Sequence, residues 1–283
     1  MTTLFRLELI QEVIETVLFT GCFKEINPSS IMLVGPSGIA KTMMITQYEN
    51  DWIKRTDSIS SQGLFEISQS DPLNKIRFLL LADFNPSLSR RAGTVNSMIA
   101  NLLSFTADGT VRTDDGRTNK ANPHKPIGLL TACTTEMHAK QTRKWFDLGI
   151  PRRIMFIYFD YTLKTIAELQ KKVSSNEITN VSPPKITIPI PSVPISNIPE
   201  KFWPELITLS EKLAHFMGLI GYWYEGKKKW ENNKVIPISP HITLQNLMRA
   251  HAARDGRKIC CQKDMDFIYM FLEFSDPSSP KMI

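Results

Sequence analysis

Cysteine is scarce in this chain, and its four cysteines show neither metal-ligand nor disulfide-framework spacing. Cys22 and Cys133 stand alone, whereas Cys260 and Cys261 are adjacent and cannot easily bridge each other. We therefore expect four reduced thiols, as is usual for cytoplasmic proteins. The sequence also contains no His/Cys cluster typical of zinc sites and no Ser/His/Asp grouping typical of hydrolases.

Long apolar runs are absent as well, and none reaches the length of a transmembrane helix. Residues 4–20 carry Glu8, Glu12 and Glu15, so they indicate an amphipathic helix rather than a secretory leader. These features predict a cytoplasmic protein without a membrane partner. The net charge of +6 is mildly basic, which permits a nucleic-acid partner without requiring one.

A glycine-containing loop follows the apolar run at 31–34, and its sequence is typical of a loop that holds the phosphates of a nucleotide. Backbone N–H groups of such a loop surround the anion, the loop lysine contacts the β/γ-phosphates, and the next hydroxyl binds Mg²⁺. Ala40 stands at the loop position where glycine is commonest. Its methyl group is tolerated if Ala40 has an α-region backbone as the helix begins, and a helix-compatible stretch follows at Met43–Trp52. The alternative is an ordinary Gly-Pro-Ser-Gly turn. The predicted binding residues are Gly35, Pro36, Ser37, Gly38, Ile39, Ala40, Lys41 and Thr42.

Further apolar runs predict more strands of the same sheet. Gly63–Ile67 is predicted to be a short strand, and residues 94–107 show helical periodicity. Buried strands alternating with helices predict an α/β fold, in which a parallel sheet has helices on both faces. The longer predicted strands are Lys75–Asp83, Ile127–Thr134 and Ile154–Phe159.

The composition changes after about residue 165. Seven prolines fall between residues 182 and 204, which indicates an extended connector. Helical periodicity follows, and it predicts helices at Leu206–Tyr224, Thr243–Arg254 and Asp264–Phe274. The sequence therefore predicts a nucleotide-binding α/β domain over 1–165, a proline-rich connector over 166–204 and an α-helical domain over 205–283.

Polar residues at strand ends predict the rest of the nucleotide site. Asp83 ends a buried strand, as does the acid that holds the Mg²⁺ water shell in such NTPases, although a carboxylate there is also a common turn former. Thr134 ends another strand, where its hydroxyl could contact the γ-phosphate or the attacking water; a threonine in a turn is the alternative. Arg153, or secondly Arg152, could enter a neighbouring subunit's site, and the alternative is a pair of solvated or nucleic-acid-facing arginines.

With these pieces in order, the chain resembles the AAA+ ATPases, and within them the branch of the MoxR-type ATPases and MCM helicases. The loop GPSGIAKT is similar to that branch's GPPGxAKS/T, and LLLADFN at 79–85 is similar to its LLADEIN. Ser239-Pro240-His241 and the following residues resemble the branch's lid sequence, in which SPR precedes a helix. The resemblance covers about residues 25–275.

The resemblance implies an AAA+ P-loop NTPase with a small α-helical lid, which binds ATP and Mg²⁺, and a homo-oligomeric ring or filament in which Arg153 completes the neighbour's site. Phe84 stands where the branch has its catalytic glutamate, so Glu66 or Glu136 could supply the carboxylate, with a surface position as the alternative for each. His241 takes the place of the second sensor arginine. The implied role is remodelling of nucleic acid in a mobile-element or replication setting. A MoxR-like chaperone with a protein client and a nucleotide-gated switch with little hydrolysis are the alternatives.

Two basic segments bear on a DNA partner. Residues 109–120 predict a hairpin that turns at Asp115-Gly116, and the branch carries a hairpin at this place. Lys227–Trp230 mixes basic and aromatic residues, as single-strand binders do, and a solvated helix end is the alternative. The hairpin could equally be a solvated polar turn. Its candidate phosphate contacts are Arg112, Arg117, Lys120 and Lys125.

Overall fold

The structure, a computed structural model, describes residues 4–71, 74–89, 91–114, 119–175, 185–189, 194–224 and 227–283, with the backbone alone for those of them within 112–123 and 221–228. Its α-helices are α1 (Glu8–Thr20), α2 (Lys41–Thr46), α3 (Ser61–Ser70), α4 (Asn85–Leu88), α5 (Ala92–Ala107), α6 (Thr135–Asp147), α7 (Leu163–Ser174), α8 (Trp203–Gly218), α9 (Ile238–Arg254) and α10 (Gln262–Ser275). Its strands are β1 (Ser30–Gly35), β2 (Ile53–Thr56), β3 (Phe78–Leu81), β4 (Thr110–Asp114), β5 (Asn119–Pro123), β6 (Gly128–Thr134), β7 (Ile154–Asp160), β8 (Leu219–Tyr224), β9 (Lys227–Asn232) and β10 (Lys281–Met282).

Six strands form one parallel sheet in the order β10-β7-β1-β6-β3-β2. The central strand β1 lies between β6 and β7, and every residue of β1 is buried. Parallel strands are covered on both faces by their crossover helices, so near-continuous apolar runs are their expected sequence. The predicted α/β class, with a parallel sheet between helices, is therefore confirmed.

Alternate residues of β1 enter two different hydrophobic clusters, because successive side chains of a strand point to opposite faces. Ile31 and Leu33 join the cluster formed with α1, α8, α9 and α10, whereas Met32 and Val34 join the one formed with α3, α5 and α6. Helices α8 to α10 share the first of these clusters with α1 and the sheet. The predicted domain boundaries, including a separate α-helical domain over 205–283, stay predictions. Among the described helices, none is long and apolar enough to cross a bilayer.

The predicted strand at Gly63–Ile67 is wrong, because these residues lie in the helix α3. The Ser60 hydroxyl accepts a 3.0 Å hydrogen bond from the Gly63 backbone N–H, which is an N-terminal cap. The pattern of these five residues does not distinguish a strand from one face of a helix, whereas the cap marks the start of a helix. Leu64 and Phe65 are the buried residues of that run.

The predicted hairpin is confirmed and a second one was missed. β4 and β5 pair antiparallel, while the turn residues Asp115-Gly116 and the candidate phosphate-contacting side chains Arg112, Arg117 and Lys120 lie outside the described residues or atoms. The helix predicted over Leu206–Tyr224 ends at Gly218, and β8 then pairs antiparallel with β9. A Cβ at Gly218 would lie 2.1 Å from the Asn233 carbonyl oxygen, so this close approach requires glycine. Lys227–Trp230 therefore belongs to a strand rather than to a helix end.

Candidate functional site

The loop at 35–42 follows the carboxyl end of the central strand and is held in a tight curve. A Cβ at Gly35 would lie 2.4 Å from Ile39 Cδ1 and 2.6 Å from the Phe159 carbonyl oxygen. Gly38 has φ +86°, with no heavy atom within 4 Å of the place a Cβ would take. Close backbone approach at Gly35 and a left-handed backbone at Gly38 explain the two glycines.

Ala40 also has a left-handed backbone, with φ 60° and ψ 16°. The left-handed region is costly for a residue with a Cβ, which explains why glycine is the commonest residue at this place in similar loops. Ala40 precedes α2, which ends at Thr46, so the helix predicted within Met43–Trp52 is shorter than expected. A helix of six residues contributes little macrodipole. Any anion bound here would therefore depend chiefly on the loop's own N–H groups.

Lys41 turns its side chain back onto the start of the loop. Its Nζ donates to the carbonyl oxygens of Gly35 at 2.7 Å and Pro36 at 2.5 Å, and the residue is 8% exposed. Burial lowers the pKa of Lys41, and the nearby negative charges of Asp83, Glu136 and Asp160 oppose that shift. Thr42, the next residue, is exposed. The loop thus presents an ammonium group and a hydroxyl at the carboxyl edge of the sheet.

Thr134 lies beside the loop, because β6 pairs with β1 in a register that places Thr134 opposite Gly35. Its hydroxyl oxygen accepts a 3.2 Å hydrogen bond from the Met137 N–H and caps α6. The hydroxyl proton is not used in that bond, so it can be donated to a further acceptor. The structure therefore brings the predicted Thr134 and the predicted loop together.

Asp83 follows β3, which pairs with β6 rather than with β1, so the strand of Thr134 lies between the loop and the acid. Asp83 Oδ1 accepts a 2.9 Å hydrogen bond from the Asn85 N–H, as turn-forming aspartates do. The same carboxylate acts electrostatically on Lys41 and on Cys133. Burial raises the pKa of Cys133 to about 12, which keeps that thiol protonated at neutral pH.

Phe84 is fully buried and makes an edge-to-face contact with Trp145 at 6.0 Å between ring centroids. Its backbone N–H donates to the Ala132 carbonyl oxygen at 2.8 Å, which fixes this turn against β6. The side chain after Asp83 therefore enters the hydrophobic core and not the edge where the loop lies.

Asp160 was missed by the sequence analysis. It is the last residue of β7, the other neighbour of β1, and its charge acts on Lys41. Its Oδ1 accepts a 2.7 Å hydrogen bond from the Tyr161 N–H. The available signal was an acid directly after the apolar run at 154–159, the same signal that singled out Asp83. Glu136, considered as an alternative carboxylate, lies in the exposed first turn of α6 and also acts on Lys41.

Three other predicted site residues lie away from the loop of their own chain. Glu66 is exposed on α3 and accepts a 3.0 Å hydrogen bond from Gln62 Nε2, so its expected place at a strand end is wrong. Arg153 immediately precedes β7, and β7 is parallel to β1. A seven-residue strand spans about 20 Å, so Arg153 lies at the opposite edge of the sheet from the loop.

His241 lies in the first turn of α9. The nearby Ser239 hydroxyl donates to the Arg152 carbonyl oxygen at 3.2 Å, which ties this turn to the amino edge of the sheet. His241 is therefore not brought to the loop of its own chain.

Comparison with known proteins identifies no family, because no protein-family model and no curated protein matches the chain. The interpretation of the site therefore depends on its geometry. That geometry is a glycine loop with an ammonium group and a hydroxyl at the carboxyl ends of the strands. Thr134 and Asp160 end two neighbouring strands of the same parallel sheet, and Asp83 follows a third.

Proposed function

We propose that residues 35–42 bind the triphosphate of ATP and that the chain is an ATPase of the AAA+ class. The observation that carries the proposal is the loop itself, in which a left-handed Gly38 and a left-handed Ala40 precede a buried lysine. Successive backbone N–H groups in such conformations form a concave anion site. Binding sites of parallel sheets lie outside the carboxyl ends of the strands, where this loop lies.

Magnesium would accompany the triphosphate, with the Thr42 hydroxyl and the Asp83 carboxylate as its protein ligands. Mg²⁺ takes oxygen ligands, keeps several waters and uses one or two carboxylates together with substrate phosphates. The described residues include no group of three or more His, Cys, Asp or Glu side chains that could hold a metal ion. The donor set therefore fits a metal that arrives with phosphate oxygens, and its contribution would be to neutralise phosphate charge.

Arg153 would act on the site of a second subunit. Its position about 20 Å from its own loop, estimated from the length of β7, excludes a contact within one chain. An arginine that stabilises charge on the transferring phosphoryl group would therefore come from a neighbour in a homo-oligomeric ring or filament. Coupling of such shared sites to nucleic-acid remodelling is the proposed role, and a protein client is the alternative.

A nucleotide-gated switch with little hydrolysis is the second candidate, and the buried Phe84 favours it. General base catalysis needs a carboxylate within hydrogen-bond reach of the attacking water, and the position after Asp83 supplies none. Glu136 and Asp160, whose charges act on Lys41, are then the remaining carboxylates for that task. Glu66 is less suited to be the general base, because it lies on α3, and α3 packs on α5 and the β4–β5 hairpin rather than on the loop.

The test is calorimetric titration of Mg·ATP into the wild-type protein and into Lys41→Ala. Removing the ammonium group should weaken binding by at least about 100-fold, because a charge-assisted contact to phosphate is lost in a partly desolvated site. Lys54→Ala is the matched control, since Lys54 is an exposed lysine on β2, and it should bind as the wild type does. Equal affinity of the two variants would refute the phosphate site.

A further inference from the structure

A cavity opens at the amino edge of the sheet, opposite the phosphate loop. It has a volume of about 880 Å³, and Ser30 of β1, Met155 of β7, Ile242 of α9 and the segment 234–236 contribute to its lining. This volume lies within the range of ligand pockets. The parallel strands β1 and β7 separate the cavity from the loop by about 20 Å. Its occupant is therefore distinct from a nucleotide bound at the loop of the same chain.

The described charged side chains that line the cavity are all positive. Arg152, Arg153 and Lys234 line it and are exposed, whereas none of the described lining residues is acidic. None of these three cations takes part in the ion pairs that the described residues form. Unpaired cations around a concave surface favour an anionic partner.

The same cavity carries an exposed aliphatic surface. Ile236, Ile238 and Ile242 are 64%, 68% and 52% exposed and all three line it. Single exposed apolar residues are ordinary, but a contiguous group beside a cavity marks an interaction site. Aromatic side chains are absent from the described lining residues, so the cavity has no platform on which bases could stack. This lining favours aliphatic side chains over single-stranded nucleic acid.

Two buried polar side chains in the lining lack partners. Asn246 on α9 is 8% exposed and Ser29 is 7% exposed, and within the described part of the chain neither side chain makes a hydrogen bond. Their polar atoms are therefore free to bond to an occupant of the cavity. The carboxamide of Asn246 has one C=O acceptor and one NH₂ donor side by side. It can therefore accept from the N–H and donate to the C=O of a peptide backbone.

We infer that this cavity docks an extended peptide segment of a protein partner, one that carries acidic and aliphatic side chains. The acidic side chains pair with Arg152 and Lys234, and the aliphatic ones cover Ile236, Ile238 and Ile242. Arg153 is left to the neighbouring subunit's site. Asn246 bonds to a peptide group of the segment. This inference does not depend on nucleotide binding at the loop, so Lys41→Ala should leave peptide docking intact.

The test is selection of a phage-displayed library of random 12-residue peptides on the 283-residue chain, followed by anisotropy titration of the enriched peptides. We expect enriched sequences with Asp or Glu next to Leu, Ile or Val. Asn246→Leu and Ile242→Glu should each weaken the enriched peptide at least about tenfold. Ile207→Glu is the matched control, because Ile207 is an exposed isoleucine on α8 that is not among the cavity's lining residues, and it should change affinity less than about twofold.

Thermal unfolding of each variant is measured first, so that loss of binding is not confused with loss of fold. Ser29→Ala is a milder second variant, and it should weaken binding a few-fold with an unchanged melting temperature. Enrichment of no peptide, or of basic peptides, would overturn the inference. So would equal affinity for Ile242→Glu, displacement of the peptide by single-stranded DNA, or a homo-oligomer that Ile242→Glu dissociates in sedimentation, since the cavity would then serve another partner.

Discussion

At position 40 a methyl group occupies a backbone conformation that glycine adopts without steric cost. A left-handed backbone costs a residue with a Cβ roughly 1–2 kcal/mol, whereas glycine loses more chain entropy on folding. Ala40→Gly should therefore stabilise the protein by about 0.5–1 kcal/mol, measured as the free energy of unfolding in urea.

Ala100→Gly is the matched control, because Ala100 is an exposed alanine within α5. Glycine in a right-handed helix is less stable than alanine by about 1 kcal/mol, so this variant should shift the free energy of unfolding in the opposite direction. Equal destabilisation by both substitutions would show that residue 40 is not left-handed.

The burial of Phe84 means that one substitution cannot supply the glutamate that the AAA+ resemblance leads us to expect after Asp83. Its ring is fully buried against Trp145, so Phe84→Glu would place a carboxylate in the aromatic core. We expect a loss of about 3–5 kcal/mol in the free energy of unfolding and no rise in ATP hydrolysis. Phe84→Leu keeps the site apolar and should cost roughly 1.5 kcal/mol or less. A stable Phe84→Glu protein with faster ATP turnover would contradict this assignment.

At the scale of elements, three helices meet in one buried ionic network. His251 on α9 is bonded to Asp264 on α10 at 2.6 Å and to Glu12 on α1 at 3.2 Å, and its ring stacks on Phe267. Burial opposes the charge of His251, but the hydrogen bonds to Asp264 and Glu12 outweigh it and raise its pKa. The hydrogen bond from His251, assisted by Arg254, lowers the pKa of Glu12 to about 2.

These shifts give the packing of α1, α9 and α10 a defined pH dependence. A histidine whose pKa is raised on folding stabilises the protein fully below its ordinary value of 6.5, and this contribution is lost as the pH rises through the folded value. Glu12 contributes above its ordinary value of 4.5, and its contribution is lost as the pH falls towards 2. The network therefore stabilises the fold most between about pH 4.5 and 6.5.

We expect the melting temperature of the wild type to fall between pH 6.5 and 9 more steeply than that of His251→Gln, which cannot titrate there. His215→Gln is the control, because His215 is exposed on α8, and it should keep the wild-type slope. Parallel slopes for the wild type and His251→Gln would show that this histidine is not charged in the fold.

The elements that the sequence predicted best are those whose signal is local. The apolar runs before Gly35, Asp83 and Thr134 predicted three central strands, because a parallel strand is apolar on both faces. The prediction for residues 219–232 was wrong, because the pairing of β8 with β9 depends on a close approach between Gly218 and Asn233. No local sequence pattern encodes that approach.

The same distinction holds for the candidate site. The loop and Thr134 come together through one strand register, and the alternation of strands and helices was enough to anticipate it. To place Asp160 in the site, one must know which strand lies on the other side of β1, and the sequence does not give the strand order. To predict the position of His241, one must know the direction in which α9 crosses the sheet. That direction is set by the packing of α9 on α1, α8 and α10.

At the scale of the whole molecule, one chain supplies the two halves of the proposed catalytic site at opposite edges of its sheet. Lys41 lies at the carboxyl edge and Arg153 at the amino edge. A site built from both needs two subunits, so the rate per subunit should rise with protein concentration until assembly is complete.

Mixing two variants tests this arrangement. Lys41→Ala and Arg153→Ala should each hydrolyse ATP at least about 100-fold more slowly than the wild type, because each lacks one half of every site. In an equimolar mixture some interfaces join an intact loop to an intact arginine, so activity should return to a measurable fraction of the wild type. Arg143→Ala is the control, because Arg143 is exposed and paired with Glu231 on the surface, and it should retain full activity alone. A mixture as inactive as its components would mean that Arg153 does not reach a neighbour's phosphate loop.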